Sequence, residues 1–416
     1  GLVPHLPPDQ REPVLTQALA AATAIDWPSH RVLAVSGLVP HLPPDQREPV
    51  LTQALAAATA IDWPYHRAWA LCGLAPHLPP DLLTQALAAA TAIDDPRPRA
   101  VAVSGLVPHL PPDQREPVLT QALAATAIAI ATAIDDPDDP DAPFDRAWAL
   151  SALAPHLPPD LLTQALAVAT AIDDPDVRAS ALRGLAPHLP PDLLTQALAV
   201  ATAIDDPDVR ASALRGLAPH LPPGLLTQAL AAATAIDRPS NRVWALRGLA
   251  PHLPSGLLTQ ALAAATAIDK PEARASALRE LAPHLPPDQR EPVLIQALAA
   301  ATAIDRPYSR ASALSGLAPH LPPDLLTQAL AAATAIDWPE ARASALRGLA
   351  PHLPPDLLTQ ALAAATAIDW PYHRASALSG LAPHLPPDLL TQALAAATAI
   401  DDPRPRAVAV RGLVPH

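Results

Sequence analysis

The stretch that decides the fold is residues 173–204, DDPDVRASALRGLAPHLPPDLLTQALAVATAI. The next 32 residues, 205–236, repeat it with two changes, Asp192 to Gly224 and Val200 to Ala232. The rest of the chain is this repeat, copied and edited. A fixed period in this range marks stacked supersecondary units, each too small to bury its own apolar face.

The repeat reads as two short helices. In the copy before 173, an A helix is expected from about Asp160 to Ile172. Leu162, Leu166, Ala169 and Ile172 form one apolar stripe, with Leu161 and Ala165 beside it. Asp173 is expected to cap the B helix, and Pro175 fits its first turn, where a missing N–H costs nothing. The B helix runs to about Leu185 and buries Ala181, Leu182 and Leu185. Pro187 is expected to push Ala186 out of the α region and end the helix.

Thirteen Pro-His markers, from His5 to His416, bound twelve repeats spaced 36, 36, 32, 47, 32, 32, 32, 32, 36, 32, 32 and 32 residues apart. The fold expected over 1–416 is one all-α domain, an α-solenoid of about twelve helical hairpins wound as a right-handed superhelix. The 36-residue repeats carry four extra letters, as in Pro43–Leu51, which fit either an added turn of the A helix or a longer loop. The irregular repeat, 110–156, combines the stutter ATAIAIATAI at 125–134 with an acidic, Pro-rich stretch, DDPDDPDAPFD, at 135–145. That stretch is expected to bulge as a loop.

Composition narrows the function. The net charge of −13 argues against a general nucleic-acid binder. The single Cys72 leaves no disulfide framework or thiolate metal site, and a reducing, cytoplasmic setting is the expectation. The longest uncharged apolar run, Ala122–Ile134, has 13 residues and is too short to cross a bilayer. No signal peptide is visible. The chain starts and stops within the pattern, so a piece of a longer array is expected. The exposed apolar ends of such a piece favour end-to-end self-association.

The copies disagree at few places, and the differences that matter most for function lie at the start of and along the B helix. The residue before its proline is Trp27, Trp63, Trp338 or Trp370 in four repeats, and Asp, Arg or Lys in seven of the others. Counted from an arginine present in every repeat (Arg178 in the reference copy), position −2 holds Tyr65, Phe144, Tyr308, Tyr372 or small and charged residues. Position +2 holds Trp69, Trp148, Trp244 or mostly Ser. Positions −2, +2 and +5 form one stripe opposite the buried leucines. All eleven aromatics fall at these variable positions. Aromatics on an otherwise polar face point to a binding surface. The candidate partner-binding residues are Trp27, Trp63, Tyr65, His66, Trp69, Phe144, Trp148, Trp244, Tyr308, Trp338, Trp370 and Tyr372. The partner class is protein or peptide; no nucleic acid, membrane, cofactor or metal is expected. The competing reading is a purely structural spacer.

Three features are uniform. The arginine column, paired with an Asp five residues earlier, is expected to form Asp–Arg bonds between neighbouring repeats. The histidine column stands one residue per repeat, too widely spaced for one metal ion, and is expected to cap helix carbonyls. Gly184 and its equivalents sit inside the B helix, where Gly costs up to about 1 kcal/mol against Ala, which close approach between repeats explains. No Gly-rich phosphate loop, HExxH or nucleophile–base pair stands out, so no enzyme activity is expected.

The phrase Asp174-Pro175-Asp176-Val177-Arg178 resembles the opening of the second helix in HEAT-like repeats, a class close to TPR-like arrays. With LLTQALAVATAI it is also similar to the Ala/Leu-rich arrays behind the NTPase domain of bacterial STAND-type (NACHT or NB-ARC) signalling proteins. That resemblance implies a sensor or scaffold array, without the NTPase itself.

Overall fold

The computed structural model describes residues 8–131 and 142–413. Among the described residues the chain is helical, with no strand. Contacts group it into two compact units, Gly1–Leu221 and Pro222–His416. The acidic stretch of the irregular repeat lies largely outside the described residues. Its last four residues belong to the helix Ala142–Leu153, so Phe144 and Asp145 are helical rather than in a loop.

Each repeat is a hairpin, and the reference copy shows why it forms. The A helix spans Pro159–Thr170 and buries Leu161, Leu162, Ala165, Leu166 and Ala169. The B helix spans Pro175–Leu185 and buries Ala181, Leu182 and Leu185 as expected, with Val177 and Ala179 added. The N-cap is Asp174, one residue later than expected. Its carboxylate accepts the N–H groups of Asp176 at 2.8 Å and Val177 at 3.1 Å. Two successive aspartates offer alternative caps, and only the one adjacent to Pro175 is in reach.

The helix end also departs from expectation. Ala186 stays in the α region (φ −48°, ψ −43°), and Ala186–His188 tightens into a 3-10 turn. The chain turns extended at Leu189 (φ −75°, ψ 132°), directly before Pro190. The restriction on the residue before proline therefore acts at the second proline. Pro187 sits inside a turn whose i→i+3 bonds do not need its N–H. Leu189 is buried and closes the hairpin to the next A helix.

The four extra residues of the 36-residue repeats lengthen the A helix by one turn. Pro8–Thr23, Pro44–Thr59 and Pro287–Thr302 have 16 residues, against 12 in the 32-residue repeats. An arginine of the added turn ties it to the preceding loop. Arg47 Nε donates to Leu42 O at 2.8 Å, and Arg290 Nε to Leu285 O at 2.7 Å. In both repeats the longer A helix also packs against the preceding B helix.

In the N-terminal unit, B helices Pro28–Leu38, Pro64–Leu74, Pro96–Leu106, Ala142–Leu153, Pro175–Leu185 and Pro207–Leu217 pack each on the next. Each also packs on its own A helix. The C-terminal unit repeats the plan with B helices from Pro239–Leu249 to Pro403–Leu413. Each unit is therefore a stack of hairpins, the α-solenoid expected. Glycine lets successive B helices meet closely. A Cβ on Gly184 would lie 2.6 Å from Ser151 Cβ, and one on Gly105 3.0 Å from Cys72 Cβ. Both partners occupy position +5 of the preceding repeat, so that position is largely a packing seat and not part of an open stripe. Ser36, in the first repeat, is buried there.

The arginine column overturns the expected ladder. The guanidinium of each of ten described arginines turns back within its own repeat and donates to the carbonyl of an isoleucine six residues earlier. Arg67 Nε reaches Ile61 O at 2.8 Å, Arg242 Nε Ile236 O at 2.9 Å, and Arg342 Nε Ile336 O at 2.8 Å. Arg31, Arg99, Arg178 and Arg374 add the carbonyl of the aspartate five residues earlier, which contributes its backbone and not its carboxylate. The isoleucine carbonyl lies just past the A helix, where no intrahelical partner remains. A planar multi-donor cation satisfies it better than a carboxylate across a groove could satisfy the arginine. Removing that donor in Arg342→Ala is expected to destabilise the array by about 1–2 kcal/mol. Asp337→Asn should leave the denaturation midpoint unchanged; equal losses in both variants would restore the Asp–Arg ladder.

Candidate functional site

The site begins at the residue that caps the B helix. Backbone geometry there is the same throughout: φ −66°, ψ 121° at Asp174 and φ −75°, ψ 115° at Trp63. Where the residue is Asp95, Asp174, Asp206 or Asp402, its carboxylate accepts N–H groups of the first turn. Trp27, Trp63, Trp338, Trp370, Arg238, Lys270 and Arg306 make no such capping bond. Losing a cap of this kind costs about 1 kcal/mol. Seven repeats thus forgo helix stability to carry a tryptophan or a cation at an exposed corner.

Ten of the eleven aromatics are exposed, including Trp63 at 73%, Trp69 at 64%, Trp148 at 50% and Tyr372 at 54%. Tyr65 is half-buried. The exposed side chains cluster. Trp63, His66 and Trp69 stand along one helix with ring centroids 6.1 Å apart at each step. Trp27 meets His30 edge-on at 6.4 Å, and Trp370 lies 6.3 Å from His373. Across neighbouring repeats of the C-terminal unit, Tyr308 lies 6.4 Å from Trp338, and its hydroxyl donates to Glu340 Oε2 at 2.5 Å. That bond holds the Tyr308 proton and pushes its pKa up. Phe144 and Trp244 are exposed singly at 43% and 45%.

Sequence reasoning missed one constellation. Tyr65, Arg97, Asp145 and Trp148 come from three successive B helices of the N-terminal unit. The Arg97 guanidinium carbon lies 5.5 Å from the Tyr65 ring centroid and 4.5 Å from that of Trp148. Its Nη1 donates to Asp145 Oδ1 at 2.9 Å. Burial pushes the Tyr65 phenol up, and the Asp145 carboxylate adds to this. Tyr65 and Arg97 share position −2 in consecutive repeats, which was the available signal. Trp148 was already in register at position +2; spacing within one repeat did not show that Arg97 reaches across to the next repeat's Asp145 and Trp148.

Among the described residues, grooves open between B helices. One, of about 420 Å³, lies between Pro28–Leu38 and Pro64–Leu74, with Leu33 and Trp69 among its walls and His30 and His66 at its edge. A Cβ on Gly73 would have only Ser36 Oγ within reach, at 4.0 Å, so these helices do not close as tightly as those at Gly105 and Gly184. The second, of about 510 Å³, lies between Pro271–Leu281 and Pro307–Leu317 and is lined by Glu272, Ser276, Arg279, Tyr308 and Ser312 among others. Beside it Glu280 stands at the glycine position, bonded to Arg279 Nη2 at 2.6 Å and to Arg247 Nε at 3.2 Å.

The histidine column ends each 3-10 turn. His156 Nε2 lies 3.1 Å from Ser104 Oγ of the preceding repeat, a side-chain partner and not the helix carbonyl expected. Burial, with the next imidazole adding to it, holds His77 and His156 below the ordinary imidazole pKa. Among the described residues no three His, Cys, Asp or Glu side chains gather to hold a metal, and no helix is long and apolar enough to cross a membrane. Cys72 is partly buried, donates to Val101 O at 3.4 Å, and has its pKa raised by burial.

No protein-family model and no curated protein sequence matches the chain. Solved structures do match in fold. The karyopherin Kap121p bound to the extreme C-terminus of the protein phosphatase Cdc14p superposes with a TM-score of 0.52 at 15% identity, over 93% of this chain and 48% of that one. Kap121p bound to Pho4p gives 0.52 at 14% identity, over 94% and 48%. Kap121p bound to the SUMO protease Ulp1p gives 0.52 at 15%, over 94% and 48%. The chain spans about half the length of these karyopherins, and identities this low establish the helical-repeat fold alone.

Two predictions follow from the caps and the imidazoles. Trp370→Asp should raise stability by about 1 kcal/mol, the worth of a restored cap, seen as a higher denaturant midpoint. His77 and His156 resist protonation when folded, so the unfolded chain takes up their protons first. Their contribution is complete above pH 6.5, the unperturbed imidazole value, and is lost as pH falls below it. The double variant His77→Gln/His156→Gln should lose less stability than the parent between pH 7 and pH 5.5 in urea titrations.

Proposed function

We propose that this chain is a non-catalytic scaffold or sensor array that binds a protein or peptide through the B-helix face. The observation that carries the reading is the placement of the aromatics. A chain with 3% aromatic residues leaves almost all of them out of its core and sets them on one helix of the repeat, four of them at the cap position, where helix stability is forgone. Large, rigid aromatic side chains give contact area at small entropic cost, and binding hot spots are rich in them. The karyopherins of similar fold are solved with protein partners, which supports the same use of this fold here. The resemblance to arrays behind NTPase domains supports a sensing role in a cytoplasmic signalling protein.

The candidate contact residues divide by unit. Trp27, Trp63, His66, Trp69, Phe144 and Trp148 offer one group. Trp244, Tyr308, Trp338, Trp370 and Tyr372 offer a second. Between Asp173 and Ile236 the B face carries no aromatic, and those repeats serve as spacing. Tyr65 belongs to the first group through its ring contact with Arg97.

A random peptide library displayed against the whole chain tests the reading. Selected peptides should lose at least tenfold in affinity, about 1.4 kcal/mol, on Trp63→Asp with Trp69→Ser, replacements that copy the repeats at 173–236. Ser180→Ala should change nothing. Failure to select any peptide, or peptides indifferent to the tryptophan replacements, favours the spacer.

A further inference from the structure

The group around Arg97 has the parts of a recognition site, with one part supplied from within. A guanidinium is planar, carries donors along its edge and stacks on aromatic faces. Here it meets the rings of Tyr65 and Trp148, with the Asp145 carboxylate at its edge at 2.9 Å. None of these three residues shares a helix with Arg97. Two neighbouring repeats therefore build the receptor, and the repeat between them inserts the ligand. The Arg97 side chain keeps 32% of its surface in solvent and Trp148 is half exposed. Asp145 is more enclosed, at 15%. This is the exposure expected of a shallow surface site: an acidic floor, aromatic walls and an accessible occupant.

We infer that Tyr65, Asp145 and Trp148 form a guanidinium-binding site, filled in this structure by Arg97, which an arginine side chain of a protein partner enters by displacing it. Three observations favour exchange over a permanent staple. Position −2 varies from repeat to repeat, through Ser29, Tyr65, Arg97, Phe144 and Asp176, so the fold does not require an arginine there. The Asp95 carboxylate, which accepts the Arg97 N–H at 3.1 Å, leaves a displaced guanidinium a second acidic neighbour. Tyr65 shares its helix with Trp63 and Trp69, so a partner seated on those tryptophans brings its own side chains beside the site. The internal arginine sets a threshold: it is always present at high effective concentration, and an incoming arginine competes only when other contacts hold it nearby.

The role of a partner rests on the B-face function proposed above; the site itself does not. The experiment therefore uses the full chain and a probe that needs no partner, N-acetyl-L-arginine amide. The readout is the indole N–H signal of Trp148, assigned by its loss in Trp148→Phe. Arg97→Ala should show a saturable shift of that signal with the arginine amide. N-acetyl-L-lysine amide should give none over the same range, because a compact ammonium lacks the planar fork. The unsubstituted chain should need at least roughly tenfold more arginine amide, since Arg97 already fills the site. Adding Asp145→Asn to Arg97→Ala should weaken the shift by on the order of tenfold. Arg97→Gln, which keeps much of the side-chain length, should behave as Arg97→Ala does. A helical Arg97→Ala chain with no saturable shift overturns the proposal, as does a parent chain that saturates at the same concentration. Equal binding of lysine amide denies the guanidinium selectivity. If both Arg97 variants lose helical structure, the cluster is a structural staple and the exchange is refuted.

Discussion

Every repeat depends on closing a hairpin from two helices too short to persist alone. A helix of 12 residues is marginal in water, so most of its stability comes from packing. Packing in turn needs the A and B helices held at a fixed angle. The recurring arginine-to-isoleucine bond does this. It reaches from the first turn of the B helix to the carbonyl just beyond the A helix, and it does so in repeats whose surfaces otherwise differ. Because the ten repeats that form this bond satisfy their turns from within, exchange of their exposed residues leaves the frame intact; in the repeat at 205–236 the Arg210 Nε is buried without such a bond. An Asp–Arg ladder between repeats would have coupled every substitution to its neighbours.

That independence explains how the N-cap position became available for another use. An aspartate there contributes about 1 kcal/mol. The arginine bond and the proline in the first turn already fix where the B helix begins, with nearly the same backbone angles at Asp174 and Trp63. A repeat can therefore forgo its cap and still start its helix at the same residue. Trp27, Trp63, Trp338 and Trp370 stand where the local rule for helix stability is broken, and broken local rules concentrate where a protein works.

Much of the fold was legible in the sequence. The period, the two helices, the buried Leu and Ala positions and the close approach at glycine all follow from spacing and residue size. The misses share a cause: several local groups could satisfy the same demand. Asp173 and Asp174 could each cap a helix, Pro187 and Pro190 could each stop one, and an arginine could reach a carboxylate or a carbonyl. Spacing alone does not rank such neighbours; three-dimensional reach does. The aromatic surface was legible because its residues are rare and confined to three positions. The Tyr65–Arg97–Trp148 group was not, because it joins side chains of three repeats, and the in-register positions do not say which of them reach each other.

The same repeat that fixes the frame also sets the depth of the surface. Where Gly105 or Gly184 faces a side chain of the preceding B helix, the two helices meet closely. Where Gly73 has only Ser36 Oγ near it, at 4.0 Å, the neighbouring helices part into a groove with Leu33 and Trp69 in its walls. Where Glu280 replaces the glycine, a carboxylate bridges two arginines beside a more polar groove. Surface chemistry is thus chosen at positions −2 and +2 and at the cap, and relief is chosen at the glycine. Neither choice disturbs the leucines beneath, because the side chains of the B helix divide between two faces. A chain built this way can diversify a surface repeat by repeat while keeping one core, the property that a partner-recognising array needs and a plain spacer does not.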